Sequence, residues 1–165
     1  RSPVPVAAAI TGHSPAGGAV LTLYCDYRIM ADGPYRIGLN ETQVGLVVPD
    51  VIQAAMRRLL GAHRAERLMV AGAMIESSEA HRIGLVDELI DAEHVVERAI
   101  AWLQDLLKLA PQAMSETRRI ARADLRALFD AHNATSDEAF LACWFSDEAQ
   151  RVLGEMVAML KAKRG

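Results

Sequence analysis

The sequence predicts an α/β fold that continues into a helical region, and three patterns indicate it. Residues 4–10 form a small apolar segment that runs into the pair Gly17-Gly18, as a buried strand leading into a helix does. Two more short apolar segments follow, separated by a turn rich in glycine and proline. In the rest of the sequence the apolar residues have helical spacing. We therefore expect a region of strands and helices over residues 1–92 and a helical region over 93–165.

Each element of the mixed region has its own signal. Apolar segments bounded by turn residues predict strands over 4–10, 26–30 and 35–39, and residues 19–24 predict a short helix packed on the first strand.

After residue 50 the apolar residues follow helical spacing. Asp50 is expected to cap a helix that Gly61 ends, and a second helix is predicted over 63–70. Ser77 or Ser78 is expected to cap a third helix that stops at Gly84, before a last extended segment. That segment covers residues 85–90.

The C-terminal region predicts three helices, over residues 93–109, 111–128 and 137–163, with Pro111 in a first turn. The last of them carries more apolar side chains than the outer helix of a monomer should show. We expect part of this surface to pack against another subunit or to cover a pocket.

Composition excludes several classes of protein. A chain of 165 residues with 52% apolar content has room for one domain with its own core, and its net charge of −3 gives no general attraction to nucleic acid or to anionic membranes. No apolar run reaches membrane-spanning length, and no secretory segment opens the chain. We therefore expect a cytoplasmic protein without nucleic-acid or membrane partners.

The metal-binding side chains show no metal-ligand spacing. Cys25 and Cys143 are not part of a C-x-x-C pair, and the five histidines are scattered, so we expect reduced core thiols and no metal site.

The glycine pair suggests chemistry as well as structure. Backbone N–H groups in a first helical turn lack intrahelical partners, so those of Gly17 and Gly18 could stabilise an oxyanion. Close packing of helix on strand is the other explanation for these glycines, and both can hold together.

A single carboxylate, Glu41, lies between a short apolar segment and the loop at Gly45. It is either a capping or surface group, or the acid/base partner of the oxyanion site. An oxyanion site with one isolated acid is typical of enolate chemistry.

These residues also carry a family pattern. The segments 5–12, 16–18, 25–32 and 80–87 resemble the enoyl-CoA hydratase/isomerase (crotonase) superfamily. Ser14-Pro15-Ala16-Gly17-Gly18 and the run from Ile37 to Leu46, with its Asn-Glu-Thr-Gln core, are similar to the Δ3,Δ2-enoyl-CoA isomerases of the mitochondrial type.

The resemblance implies a crotonase-like ββα spiral core, present here as its C-terminal portion, and a helical oligomerisation region after it. It also implies that the N–H of Gly17 is an oxyanion donor and that Glu41 is the catalytic acid/base. Hydratases of the family use a second glutamate, and Val20 stands at that position. A valine cannot transfer a proton, so two-carboxylate hydration is disfavoured.

The resemblance further implies an acyl-CoA thioester as substrate, no cofactor, and a homotrimer or dimer of trimers. The N-terminal part of the family domain is expected to lie outside this chain and to supply the second oxyanion donor and most contacts to coenzyme A. Besides Glu41 and Gly17, the residues expected at the substrate are His13, Pro15, Gly18, Leu39, Asn40, Phe140 and Lys163.

Some of these residues have a second explanation. Asn40 either orients Glu41 or forms a turn. Phe140 either floors the acyl pocket or packs in a core or between subunits, and Lys163 either contacts a coenzyme A phosphate or complements the end of its helix.

The predicted function is isomerisation of 3-enoyl-CoA to 2-trans-enoyl-CoA in fatty acid β-oxidation. Another crotonase reaction, such as hydration or thioester cleavage, and a non-catalytic oligomeric partner are the alternatives.

Overall fold

The computed structural model describes residues 2–131 and 134–162. Within them the strands are β1 (Ala7–Ile10), β2 (Ser14–Pro15), β3 (Tyr27–Ala31), β4 (Arg36–Gly38), β5 (Ile75–Glu76) and β6 (Glu88–Ile90). The α-helices there are α1 (Gly17–Leu23), α2 (Asp50–Leu60), α3 (Ala62–Val70), α4 (Ser77–Arg82), α5 (Val95–Leu106), α6 (Pro111–Ala121), α7 (Ala123–Ala131), α8 (Ala134–Trp144) and α9 (Asp147–Ala162). Short 3-10 helices cover Glu41–Val44 and Ala92–His94.

The strands form two small sheets. The first is parallel with the order β1-β3-β6, in the register Ile10 opposite Met30 and Met30 opposite Leu89. The second has the order β2-β4-β5, in which β2 and β4 are parallel and β5 is antiparallel. Parallel strands need crossover connections, and α1 provides the one between β1 and β3.

The main core lies between the sheets and helices α1 to α4. Its largest fully buried side chains include Met30, Ile37, Leu39, Met56 and Leu85. Helix α5 packs on the other face of the first sheet, where it buries Val95 and Ala99 against β3. The helical region therefore begins as a layer of the same fold, and the division at residue 92 stays an interpretation.

The predicted strands and the first helices are confirmed within a few residues, but the predicted N-terminal caps of α2 and α4 are wrong. Gly61 ends α2 as expected, with its N–H donating to the carbonyl of Arg57 at 2.8 Å. Asp50 is the first residue of α2, and its carboxylate accepts from the N–H of the next residue, Val51, at 2.8 Å. Ser77 begins α4, but its hydroxyl donates to the carbonyl of Gly33 at 2.9 Å.

Two predicted C-terminal helices were wrong in length, because each is interrupted. The helix predicted over 111–128 breaks at Arg122, whose guanidinium donates to the carbonyls of Tyr24 and Cys25 at 2.7 and 2.9 Å. The helix predicted over 137–163 breaks at Ser146, whose hydroxyl accepts from the N–H of Ala149 at 3.2 Å and so caps α9. Tertiary contacts of Arg122 explain the first break, and capping by Ser146 explains the second.

Cysteine burial also differs from expectation. Cys25 and Cys143 are free, as predicted, but both are half-buried. Among the described residues, no helix is long and apolar enough to cross a membrane, and no three metal-ligating side chains converge.

A partly buried ionic cluster joins the C-terminal helices to the sheet. Asp26 accepts two hydrogen bonds from Arg118, at 2.8 and 2.9 Å, and one from the N–H of Val6 at 2.8 Å. Arg122 lies 3.2 Å from the same carboxylate. Asp26 thus ties α6 to the beginning of β1 and β3.

We expect Arg118→Gln to lower the free energy of unfolding by about 2 kcal/mol, because it breaks charged hydrogen bonds to Asp26, whose side chain is only 15% exposed. Arg119→Gln is the matched control, since Arg119 is on the same helix and 57% exposed in its pair with Glu116. Denaturant unfolding of both variants measures the difference, and equal losses would contradict a special role for Arg118.

Glycine is required at position 38. A Cβ there would lie 2.0 Å from the carbonyl oxygen of Ala73, which is backbone and cannot turn away. We expect Gly38→Ala to destabilise the fold by about 1–3 kcal/mol. Gly12→Ala, where a Cβ would meet no atom within 4 Å, should change stability by less than about 0.5 kcal/mol, and thermal melts of the two variants make the comparison.

Candidate active site

Parallel pairing of β2 with β4 brings the glycine turn and the Glu41 segment together. Pro15 pairs with Gly38 in the ladder, and the N–H of Ala16 donates to the carbonyl of Gly38 at 2.9 Å. Gly17 follows Ala16, and Glu41 comes three residues after Gly38. The predicted oxyanion donor and the predicted acid therefore leave the carboxyl ends of neighbouring strands.

Ala16 turns the chain sharply into α1. It is the one non-glycine residue with positive φ among the described residues, at φ 44° and ψ −116°. Residues other than glycine rarely adopt this backbone conformation, and such backbone strain clusters at functional sites. Sequence reasoning missed this residue, since alanine carries no signal for positive φ.

The backbone N–H groups of Gly17 and Gly18 remain outside the hydrogen bonding of α1. The first intrahelical bond runs from the N–H of Val20 to the carbonyl of Ala16, at 2.9 Å. The N–H groups of the two glycines precede it, so no carbonyl of the helix accepts from them.

The two glycines differ in their surroundings. A Cβ on Gly18 would lie 2.9 Å from the buried hydroxyl of Ser14, so Gly18 allows close packing of helix on strand. A Cβ on Gly17 would meet nothing within 4 Å. Space for a ligand atom therefore lies beside Gly17, and both explanations of the glycine pair find support.

Glu41 is the first residue of its 3-10 helix and is only 8% exposed. Its Oε2 has no hydrogen-bond partner among the described residues. Burial raises the pKa of this carboxyl above its ordinary value of 4.5, and a hydrogen bond from its own backbone lowers it by less. Burial thus favours the neutral, protonated form of this carboxyl.

Close backbone packing holds the Glu41 segment in place. Gly45, with φ 76°, ends the 3-10 helix, and the N–H of Leu46 donates to the carbonyl of Glu41 at 2.9 Å. A Cβ on Gly45 would lie 2.9 Å from Cα of Ala149, so α9 presses directly on this turn. Thr42 donates to the carbonyl of Met69 at 3.3 Å on the other side.

The other predicted residues near this turn differ in burial and in their contacts. Nδ1 of His13 accepts from the N–H of Arg36 at 3.0 Å, which ties the glycine loop to β4. Leu39 is 1% exposed and belongs to the main core, whereas Pro15 is exposed. Asn40 precedes Glu41, and its Oδ1 is buried without a hydrogen-bond partner in the described part of the chain. Within residues 2–131 and 134–162, no hydrogen bond joins Asn40 to Glu41.

Two predicted substrate residues belong to the C-terminal helices. Phe140 is on α8, with its ring centroid 6.1 Å from that of Trp144. Cys143, on the same helix, contacts the carbonyl of Gly45 at 3.3 Å, so α8 does lie beside the Glu41 turn. Lys163 falls outside the described residues.

Val20 fills the position of the second glutamate with an apolar side chain. It is half-buried and packs against the main core. Glu41 is consequently the only carboxylate that the sequence reasoning places at this site.

Known proteins resemble this chain along its whole length. It is 30% identical over 166 residues to human mitochondrial enoyl-CoA delta isomerase 1, covering 100% of this chain and 55% of that protein. A probable enoyl-CoA hydratase from Mycobacterium avium is 33% identical over 132 residues, covering 80% of this chain and 49% of the relative. The chain therefore spans about half the length of these curated relatives.

A solved structure also resembles this chain. The crystal structure of human mitochondrial delta3-delta2-enoyl-CoA isomerase superposes with a TM-score of 0.92 at 30% identity, over 99% of this chain and 64% of that one. This match confirms the expected crotonase-like fold with its helical C-terminal region. A family model described as enoyl-CoA hydratase/isomerase matches residues 1–162, and the chain belongs to that family.

Proposed function

We propose that the protein isomerises 3-enoyl-CoA thioesters to 2-trans-enoyl-CoA, with Glu41 as its single acid/base. The observation that carries the proposal is the burial of Glu41, without a hydrogen bond to its Oε2, at the end of the strand beside the glycine turn. A family relative named as an isomerase, alike in sequence and fold, supports the choice of reaction.

In the proposed reaction, the Glu41 carboxylate removes a proton from C2 of the substrate. The electron pair of the broken C–H bond moves toward the thioester carbonyl, whose oxygen becomes an enolate. The N–H of Gly17 donates to this oxygen. Protonated Glu41 then returns the proton to C4, and the double bond moves from C3–C4 to C2–C3.

The surroundings of Glu41 suit this role. A carboxylate without an ion pair in an apolar site is a stronger base than one in water, and after proton transfer its neutral form is favoured. Packing of Gly45 against Ala149 holds the segment still, which keeps the carboxylate aimed while it moves a proton between two carbons.

Hydration is the nearest alternative, because one of the similar proteins is named a probable hydratase. Adding water across a double bond by the two-carboxylate route needs a second acid beside Glu41. Val20 cannot supply it. Isomerisation needs one shuttling proton and no bound water, so it fits this chain better.

The proposed substrate, an enoyl-CoA thioester, suggests the pathway and the assembly in which the protein acts. We propose an acyl-CoA ligand, a role in fatty acid β-oxidation and assembly as a homotrimer or dimer of trimers, without a cofactor. The cytoplasmic location stays a prediction, and the human relative is mitochondrial.

Glu41→Gln should lower kcat for isomerisation by roughly 10²- to 10⁴-fold, because an amide of the same shape cannot take up the C2 proton. KM should change little, since shape and burial are kept. Conversion of a 3-enoyl-CoA by the full-length natural protein, followed by the absorbance of the conjugated product, gives both constants.

Glu116→Gln is the matched control, because Glu116 is exposed on α6 and removed from the site. Full activity of Glu41→Gln would remove Glu41 from the mechanism. Parent protein that hydrates a 2-enoyl-CoA faster than it isomerises a 3-enoyl-CoA would favour the hydratase instead.

The raised pKa of Glu41 predicts two pH effects that share one origin. Activity requires the ionised form, so kcat/KM should rise with pH through a midpoint above 4.5. Below pH 4.5 the carboxyl is protonated whether the chain is folded or unfolded. As pH rises toward the folded-state pKa, only the unfolded chain ionises freely, so the folded state loses relative stability.

Glu41→Gln should therefore be more stable than the parent at neutral pH, and the difference should shrink toward pH 4. Thermal melts of the two proteins across this range measure the effect. A variant that is equally stable at every pH would show that burial does not penalise the Glu41 charge.

A further inference from the structure

A cavity of about 260 Å³ lies near the amino-terminal ends of β1 and β3, and its lining includes no residue of the glycine turn. Its lining contains four arginines that come from separate parts of the chain: Arg28 on β3, Arg58 on α2, Arg118 on α6, and Arg122 just after it. The reaction proposed above uses none of them.

The lining carries an excess of positive charge. Asp26 is the one carboxylate among the described residues of the lining, and Arg118 and Arg122 already neutralise it. Arg28 pairs with Asp87 at 2.7 Å, and Arg58 pairs with Asp124, but neither of these carboxylates lines the cavity. Four guanidinium groups thus share a space with a single carboxylate.

Burial is costly for two of these guanidinium groups, even though both make ion pairs. The side chain of Arg28 is only 6% exposed, and its Nε has no hydrogen-bond partner in the described chain. An unsatisfied buried donor is costly. Burial lowers the pKa of Arg122, Asp26 raises it, and the charges of Arg118, Arg58 and Arg28 lower it again. An anion in the cavity would offset the mutual repulsion of these guanidinium groups.

Solvent can reach the cavity, and the one carboxylate among its described lining residues is already neutralised. Arg58 is 35% exposed at its edge, which leaves a route from solvent. Cys25 also lines the space, and burial raises the pKa of its thiol, so it stays neutral at physiological pH. The volume is far larger than the ~10–15 Å³ that one water requires.

We propose that this cavity binds the phosphate group of a small molecule, either inorganic phosphate or the phosphate monoester of a nucleotide. Guanidinium groups hold tetrahedral oxyanions through paired N–H donors, and a doubly charged anion suits several arginines better than a carboxylate does. The site is separate from the glycine turn and takes no part in proton transfer.

Titration calorimetry with inorganic phosphate tests the site, at ionic strength kept constant with sodium chloride. Arg58→Gln should weaken phosphate binding roughly tenfold, because it removes charged donors from the most exposed side of the cavity. Arg119→Gln, which removes an equal charge on exposed α6 surface, should leave the affinity unchanged.

A second pair of variants tests for a gain. Asp124→Asn releases Arg58 from its ion pair, and since Asp124 is 60% exposed the fold should tolerate the change. Phosphate binding should tighten severalfold in this variant and stay unchanged in Glu116→Gln, which makes the same charge change outside the cavity.

Adenosine monophosphate, titrated in parallel, distinguishes the two sources of the phosphate group. Tighter binding than inorganic phosphate identifies a nucleotide ligand, and equal or weaker binding identifies the free anion. Absence of saturable binding by both compounds would overturn the proposal, as would equal effects of Arg58→Gln and Arg119→Gln.

Discussion

The hydrogen bond from the N–H of Ala16 to the carbonyl of Gly38 is the contact on which the site depends. It extends the pairing of β2 and β4, which are too short to be stable by themselves. Because the two strands are parallel, the segments that follow them leave from the same edge. The turn into α1 and the turn into the Glu41 segment are thereby fixed relative to each other.

Burial of Glu41 is unfavourable for folding, and the surrounding contacts offset it. Gly45 allows α9 to approach so closely that Ala149 is completely buried. The helical region therefore stabilises a turn that begins with a buried carboxyl group, whose Oε2 has no hydrogen-bond partner among the described residues. Such a local cost is consistent with the role proposed for Glu41, because natural proteins tolerate it at functional sites.

Residue pattern and resemblance predicted four of the six described strands, the helix after the glycine pair and the family, and the roles of Gly17 and Glu41 stay predictions. What they missed depends on tertiary structure. The two-residue strands β2 and β5 are too short to show alternation, and the positive φ of Ala16 occurs where its N–H bonds to Gly38, far along the chain. The break at Arg122 follows from carbonyls almost a hundred residues earlier in the chain, whereas the capping signal of Ser146 was present in the sequence and overlooked.

Helix α1 runs from the end of β2 in the second sheet to the beginning of β3 in the first. Its first residue is Gly17, and beyond its last residue the carbonyls of Tyr24 and Cys25 accept from Arg122, with Arg28 donating to Cys25 as well. Positive charge is favourable at this end of a helix, because its last carbonyls lack intrahelical partners. The arginines that line the cavity thus also anchor the helix that presents the glycine N–H groups, so an anion bound among them would act on the same helix as the proposed substrate.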